Sequence, residues 1–457
     1  VVNLPIQDGA DDVKQIMLPS GQMLFVKEAG GWAYLANSPA SFDVLPDDPQ
    51  TALAGLVKEY DLGAQVNVQN VPAMYREQAV AAMKGGVEQG LERKPDEDDE
   101  EYEMRRKMAE LQMEQVEQLI NEMDELVIGL GVDAQDQRAF ADFTYNFLPG
   151  SKMAKQITAA GQSRTNFAGF FQPDAAATMS FASKTDPEVM QENIEQMRNM
   201  MLSMRKQAEK AIDEEENIPD DETRDAVKSA MNDMIDAMQA TMEAGTMDGG
   251  AAVHMEPGSF TGVGGVLVKE PTKLESGLKK LAALAEKEPN FNGVQWNAAT
   301  HEGVNFHTLS VPIPEDKEEA RQMFGEKLDV AIGIGTEAVY FGAGQDSLAA
   351  VKRAIDASKA EPNKEVPQFE FSLSLAPVMA VAAANAKSDE DRANTEAIAE
   401  MLKNDAQGRD HVRMTAKLVD NGMTYRMEAE EGVLRAIGKA AMLAQQKAQR
   451  EAMQGVQ

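Results

Sequence analysis

The sequence predicts an α+β protein: a duplicated, mostly antiparallel sheet with helices chiefly on one face and long methionine-rich helices inserted into it. Three observations predict it. Segments with strand-like alternation take turns with segments at helical spacing. Two stretches about 300 residues apart repeat the same order of segments. Two long runs carry methionine at heptad positions.

At the front, Val2-Asn3-Leu4-Pro5-Ile6, Met23 to Val26 and Trp32-Ala33-Tyr34-Leu35 read as strands. They return as Leu309-Ser310-Val311-Pro312-Ile313, Leu328 to Ile332 and Ala338-Val339-Tyr340-Phe341. The register carries on to Gln65 to Pro72 against Glu370 to Pro377. The offsets Pro5/Pro312, Tyr34/Tyr340 and Pro72/Pro377 are 307, 306 and 305. Three anchors in order point to duplication rather than to a chance likeness of strands. They divide the chain into a first repeat, 1–160, with an acidic helix inserted over 95–127, and a second, 161–457, with a helical hairpin over 187–244. Val1 corresponds to the middle of a unit, so the expected native chain is longer and carries an export signal upstream.

Further along, Glu101 to Leu126 reads as a helix with Met104, Met108, Leu111, Leu119 and Met123 on one stripe. In Pro187 to Ile212, the residues Met190, Ile194, Met197, Met201, Met204 and Ala208 are spaced 4, 3, 4, 3, 4, the seam of a coiled coil. Asp221 to Met242 repeats it with Val227, Met231, Met234 and Met238. The linker between them breaks helix at Pro219, so the two fold back as an antiparallel hairpin. Val266 to Val268 reads as a strand and Pro271 to Ala285 as a helix with Leu274, Leu278, Leu281 and Leu284 on one side. Val304 to Val311 is apolar on both faces, which implies a strand covered on both sides or bulged near Phe306. Val330 to Ile334 pairs with Ala338 to Phe341, and Gln345-Asp346-Ser347 caps a helix through Ala357. A strand over Phe369 to Leu375 leads into an alanine-rich helix, and Ser388 to Asn404 is a further helical segment. Asp420-Asn421-Gly422 between Val412–Leu418 and Thr424–Ala429 signals a hairpin.

Composition excludes several functions. The 457 residues carry 44 Lys and Arg against 76 Asp and Glu, a net charge of −32, and no basic stripe suits a phosphate backbone or an anionic bilayer. Nucleic acid is therefore not an expected partner. Cysteine is absent, which removes disulfides, thiolate nucleophiles and zinc–thiolate sites. The longest apolar runs, such as Pro377 to Ala384, fall well short of the ~20 residues a transmembrane helix needs.

No catalytic signature is present: no G-x-S-x-G elbow, Walker loop or H-E-x-x-H. Gly342-Ala343-Gly344-Gln345-Asp346-Ser347 imitates a phosphate loop, but a turn with a helix cap explains it better. The acidic runs Asp96 to Glu101 and Asp213 to Glu222 lack the spacing and glycine of a calcium loop. His301 and His307, on one strand, would stand ~20 Å apart, too far to share a metal; His254 and His411 add no ligand set. No enzyme, metal or cofactor is expected. The methionines have two readings, a seam inside one chain or a pliable surface for a partner. The second names Met190, Met197, Met201, Met204, Met231, Met234 and Met238 as the interaction surface.

The runs Asn166 to Ala177, Met247 to Ala252 and Gly408 to Val412 resemble those of a group of uncharacterised exported proteins of planctomycete bacteria. The resemblance extends over most of the chain and rests on structural motifs. It implies export to the periplasm or cell surface and implies no activity. The expectation is a non-enzymatic structural or assembly protein of the cell envelope that associates with itself or with other envelope proteins. The alternative is a periplasmic carrier of a lipid or other apolar ligand held between sheet and helices.

Overall fold

The computed structural model describes residues 6–8, 12–18, 23–43, 45, 55–91, 93, 99–215, 217–286, 291–404, 406 and 408–454. The anchor at Pro5 and the acidic residues Asp96, Glu97 and Asp98 lie outside them. The chain parts into two compact units, Val1–Ala64 and Gln65–Gln457. Strands from both expected repeats, 1–160 and 161–457, lie in the large sheet.

The smaller unit holds a four-stranded sheet of β1 (Ile6–Asp8), β2 (Val13–Met17), β3 (Met23–Ala29) and β4 (Trp32–Ala36), paired in that order. Gly30 and Gly31, at φ 60° and 84°, turn β3 into β4 in a conformation that glycine adopts without a Cβ clash. Val13, Phe42 and Leu56 are buried.

In the larger unit one succession occurs four times: strand, helix or helix pair, two strands, helix. It runs first through β5 (Leu62–Asn67), α1 (Ala73–Gly90), α2 (Asp99–Glu122), β6 (Met123–Asp133), β7 (Arg138–Phe147) and α3 (Lys152–Ala160). After the short β8 (Arg164–Thr165) and a 3-10 turn at Ala168–Phe170 come β9 (Ala177–Lys184), α4 (Pro187–Glu214), α5 (Asp221–Glu243), β10 (Thr246–Glu256), β11 (Ser259–Leu267) and α6 (Pro271–Ala285). The third pass adds an extra strand β12 (Val294–His301) before β13 (Val304–Pro312), α7 (Glu318–Phe324), β14 (Lys327–Ile334), β15 (Ala338–Gly344) and α8 (Ser347–Ala360). After the short β16 (Lys364–Glu365), the fourth is β17 (Phe369–Ser374), α9 (Leu375–Ala384), α10 (Asp389–Asn404), β18 (His411–Val419), β19 (Gly422–Glu430) and α11 (Glu431–Gln454). Each pass adds three adjacent strands to one 13-stranded sheet, ordered β12-β13-β14-β15-β11-β10-β9-β17-β18-β19-β7-β6-β5. The elements that align in sequence match in kind: β3–β4 and β14–β15 are hairpins, and β5 and β17 are strands followed by helices.

Local chemistry accounts for the element ends. Asp220 caps α5 by accepting the Thr223 N–H at 2.7 Å, and Ser151 caps α3 through the Ala154 N–H at 3.1 Å. Asn421, at φ 55°, makes the turn between β18 and β19 where the Asn-Gly pair signalled it. Three elements depart from expectation. The helix expected through Leu126 ends at Glu122, and Met123 opens β6, because Leu126, Ile128, Leu130 and Val132 alternate as a strand and outweigh the methionine stripe. Glu302 and Gly303, at φ 51° and 81°, turn the chain between His301 and His307, which therefore sit on different strands. The irregularity expected near Phe306 lies in the partner strand, between Gln295 and Ala299. Phe306 and His307 are both buried, so β13 is covered on both sides.

Strand alternation gives the sheet two faces of different character. One row of paired residues runs Ile128, Phe143, Tyr425, Ala416, Phe369, Phe181, Gly249, Val266 and Val339 across β6 to β15. The next runs Leu130, Ala141, Met427, Met414, Phe371, Met179, Ala251, Gly264 and Phe341. Neither row holds a charge. The opposite face carries an apolar core under α8, with Phe167, Phe170, Val263, Phe306 and Val351, and charged pairs over β7, β18 and β19. The uncharged face is met by α6 at β13, where Glu275 Oε1 lies 3.4 Å from His307 Nε2.

Candidate interaction surface

The uncharged face stays open over β6, β7, β18 and β19. Ile128, Leu130, Phe143, Met414, Tyr425 and Met427 keep between 39% and 50% of their surface in contact with solvent. This is contiguous apolar exposure rather than the scattered single residues of an ordinary surface. The floor of the patch is ordered by aromatic packing. Tyr145 stands 5.4 Å from Phe147, 6.1 Å from Tyr425 and 6.2 Å from Phe143, centroid to centroid. Burial, together with the neighbouring Tyr425 hydroxyl, pushes the Tyr145 hydroxyl up, so it stays neutral. Further along the same face Met247, Val266 and Phe341 are also exposed, and the ring of Phe341 lies over Gly264, where a Cβ would collide with it.

The reverse side of these strands explains why the sheet holds its register. Arg426 grips the buried Asp142 with two hydrogen bonds of 2.7 Å and lies 4.4 Å over the ring of Phe140. Arg138 reaches Glu428 at 3.1 Å and Arg413 reaches Glu430 at 2.7 Å. Charge is thus collected on one face and excluded from the other.

The methionine hairpin is braced within the chain. Arg198–Glu243 (2.8 Å), Arg205–Asp236 (2.5 Å), Asn232–Glu209 (3.2 Å) and Lys228–Asp213 (2.6 Å) step in opposite directions along α4 and α5, as an antiparallel pair requires. Met201 is 3% exposed, and Met190, Met197, Met204, Met231 and Met234 are partly buried. Met190 lies against Gly245 and Met234 against Gly277 of α6. Among the seven expected surface methionines, Met238 alone is exposed, alongside Met200 and Leu202, which the heptad reading did not select.

The polar clusters are structural in their geometry. Ligand atoms of Asp410, His411 and Glu430 lie within 4.8 Å of one another. They are already engaged: Asp410 Oδ2 accepts from Ser374 Oγ (2.7 Å) and the Ala376 N–H (2.6 Å). Glu430 Oε2 accepts the backbone N–H of His411 at 2.9 Å and Oε1 accepts from Arg413 at 2.7 Å. Burial alone would push the Glu430 carboxyl up, but the hydrogen bonds from His411 and the charge of Arg413 pull it down to about 2. The Arg413 guanidinium holds the other oxygen of Glu430, and the cluster ties the end of β17 to β18 and β19. His254 Nε2 meets Gln172 (2.6 Å) and His301 Nε2 meets Asp356 (2.7 Å). Buried His307 is held neutral by desolvation, and its Nδ1 accepts the Asn297 N–H at 3.0 Å. The glycine turn before α8 is pinned to β11 by the Gln345 N–H on the Phe260 carbonyl (2.9 Å). In the cleft of about 1000 Å³ beside that turn, Ser259 and Thr261 bond to Gln345, so no hydroxyl there is paired with a histidine base.

No protein-family model, curated protein or solved structure matches the chain. The open face does not emerge from the sequence reading because the helix expected through Leu126 overlaps the start of β6. Its signal was present in Leu126 to Val132 and Met423 to Ala429, where apolar residues alternate with glycine or with Thr, Arg and Glu.

Proposed function

We propose that this protein is a non-enzymatic assembly protein, exported to the periplasm or cell surface, whose open apolar sheet face docks another protein. The observation that carries the reading is the patch of Ile128, Leu130, Phe143, Met414, Tyr425 and Met427, uncharged in a chain of net charge −32. An uncovered apolar face of that size is costly in water, at roughly 25 cal/mol per Å², and a partner surface removes the cost. The methionine hairpin serves as a brace, with Met200, Leu202 and Met238 as a secondary contact. The lipid-carrier alternative is less well supported. A carrier encloses its ligand, whereas the cleft beside α8 mixes His254, Asp346 and Arg353 with alanines, and the apolar patch lies open. Among the described residues no helix is long and apolar enough to cross a membrane.

Native mass spectrometry of the purified full chain tests the reading. The expected result is a complex heavier than the 49.7 kDa chain without stoichiometric lipid. A lone chain that carries a bound apolar molecule overturns it in favour of the carrier.

A further inference from the structure

We propose that the partner on the open face is a second copy of this chain, packed sheet against sheet over β6, β7, β18 and β19; this rests on the assembly reading above. Three features of the face argue for it. The first is area. Six side chains of roughly 200 Å² each, about half exposed, offer on the order of 600 Å² over these four strands, about three quarters of the ~800 Å² per partner in a standard interface, and Met247, Val266 and Phe341 continue the apolar face beyond them on β10, β11 and β15.

The second is charge. A copy of a chain at −32 would ordinarily be repelled, yet the two paired rows across β6 to β15 bring no carboxylate to the face. A basic partner would find nothing on the face to recognise, and the acidic chain disfavours an anionic lipid surface. The patch selects a partner that is itself uncharged over a matching area, and this chain supplies one. The third is geometry. Two sheet faces pack ~10 Å apart with strands nearly aligned. A two-fold axis through the patch would set the Ile128 and Leu130 side of one copy against the Met414 and Met427 side of the other, with Phe143 and Tyr425 near the centre. Aromatic residues at the middle of an interface and methionines that adapt around them fit what protein interfaces favour.

The absence of cysteine makes a single introduced thiol a clean probe. Met427→Cys places it on the open face, and Lys417→Cys on the exposed opposite face of the neighbouring strand. The expected result is a dimer by sedimentation, with Met427→Cys labelled by maleimide at least about tenfold more slowly than Lys417→Cys. Adding Leu130→Glu to the Met427→Cys chain should weaken the dimer about a hundredfold, by burying a charge, and restore fast labelling. Circular dichroism of the Leu130→Glu chain shows whether it is folded, and Met427→Cys alone reports on the face if it is not. A monomer with a readily labelled Met427→Cys thiol and no bound small molecule overturns the second copy and leaves assembly with a different protein. A monomer whose Met427→Cys thiol is shielded by an extractable lipid overturns both.

Discussion

At Gly169 an added methyl would run into the backbone carbonyl of Ala354, whereas at Gly264 it would meet the ring of Phe341, which is half exposed and can swing aside. Gly169→Ala is therefore expected to cost about 2–3 kcal/mol, since the turn at Ala168–Phe170 cannot move without leaving α8, and Gly264→Ala less than about 1 kcal/mol. Denaturant midpoints of the two variants check the order. Glu430 makes a second expectation at this scale. Its folded value of about 2 lies below the ordinary glutamate value of 4.5, so its contribution is present above pH ~4.5 and fades as the pH falls toward 2. With its side chain 12% exposed, that contribution is at most about 3 kcal/mol. Glu430→Gln should lose it at neutral pH and flatten the stability profile between pH 4.5 and 2; an unchanged acid limb would contradict this. Neither residue stood out in the sequence: the Ala354 carbonyl comes from an element distant in the chain, and the Arg413–Glu430 pair depends on the register of the β18–β19 hairpin.

Among the elements, the heptad methionines were legible because four-three spacing places them on one helical stripe whatever they pack against. What they pack against was not legible: α4 closes on α5 through ion pairs and α5 closes on α6 at Gly277, so the seam faces inward. Met201→Ala should cost about 2–4 kcal/mol, as truncation of a buried side chain does, while Leu202→Ala, 58% exposed in the same helix, should stay within about 0.5 kcal/mol. Amide exchange of the α4–α5 hairpin distinguishes them, and equal effects would contradict the inward seam. The strand β6 was obscured for a physical reason. Met123 continues the stripe of α2, while the alternation that makes a strand becomes visible only after Leu126.

For the molecule as a whole, antiparallel α+β character was legible from strand alternation beside helical spacing. The use of one three-stranded module four times in a 13-stranded sheet was not, because the helices within the modules differ in length and hide the spacing. Nor was the open face, since no single strand shows that its apolar side is left uncovered; that depends on where α6 lies. Separation of charge onto one face and apolar groups onto the other is the property from which the assembly reading follows. Sedimentation of the full chain over a range of concentrations, beside a Leu130→Glu chain shown to be folded, tests it most directly. A concentration-dependent assembly that Leu130→Glu returns to single chains is the expected result. A wild-type chain that stays single at every concentration and with every envelope fraction, and that behaves like Leu130→Glu throughout, would contradict it.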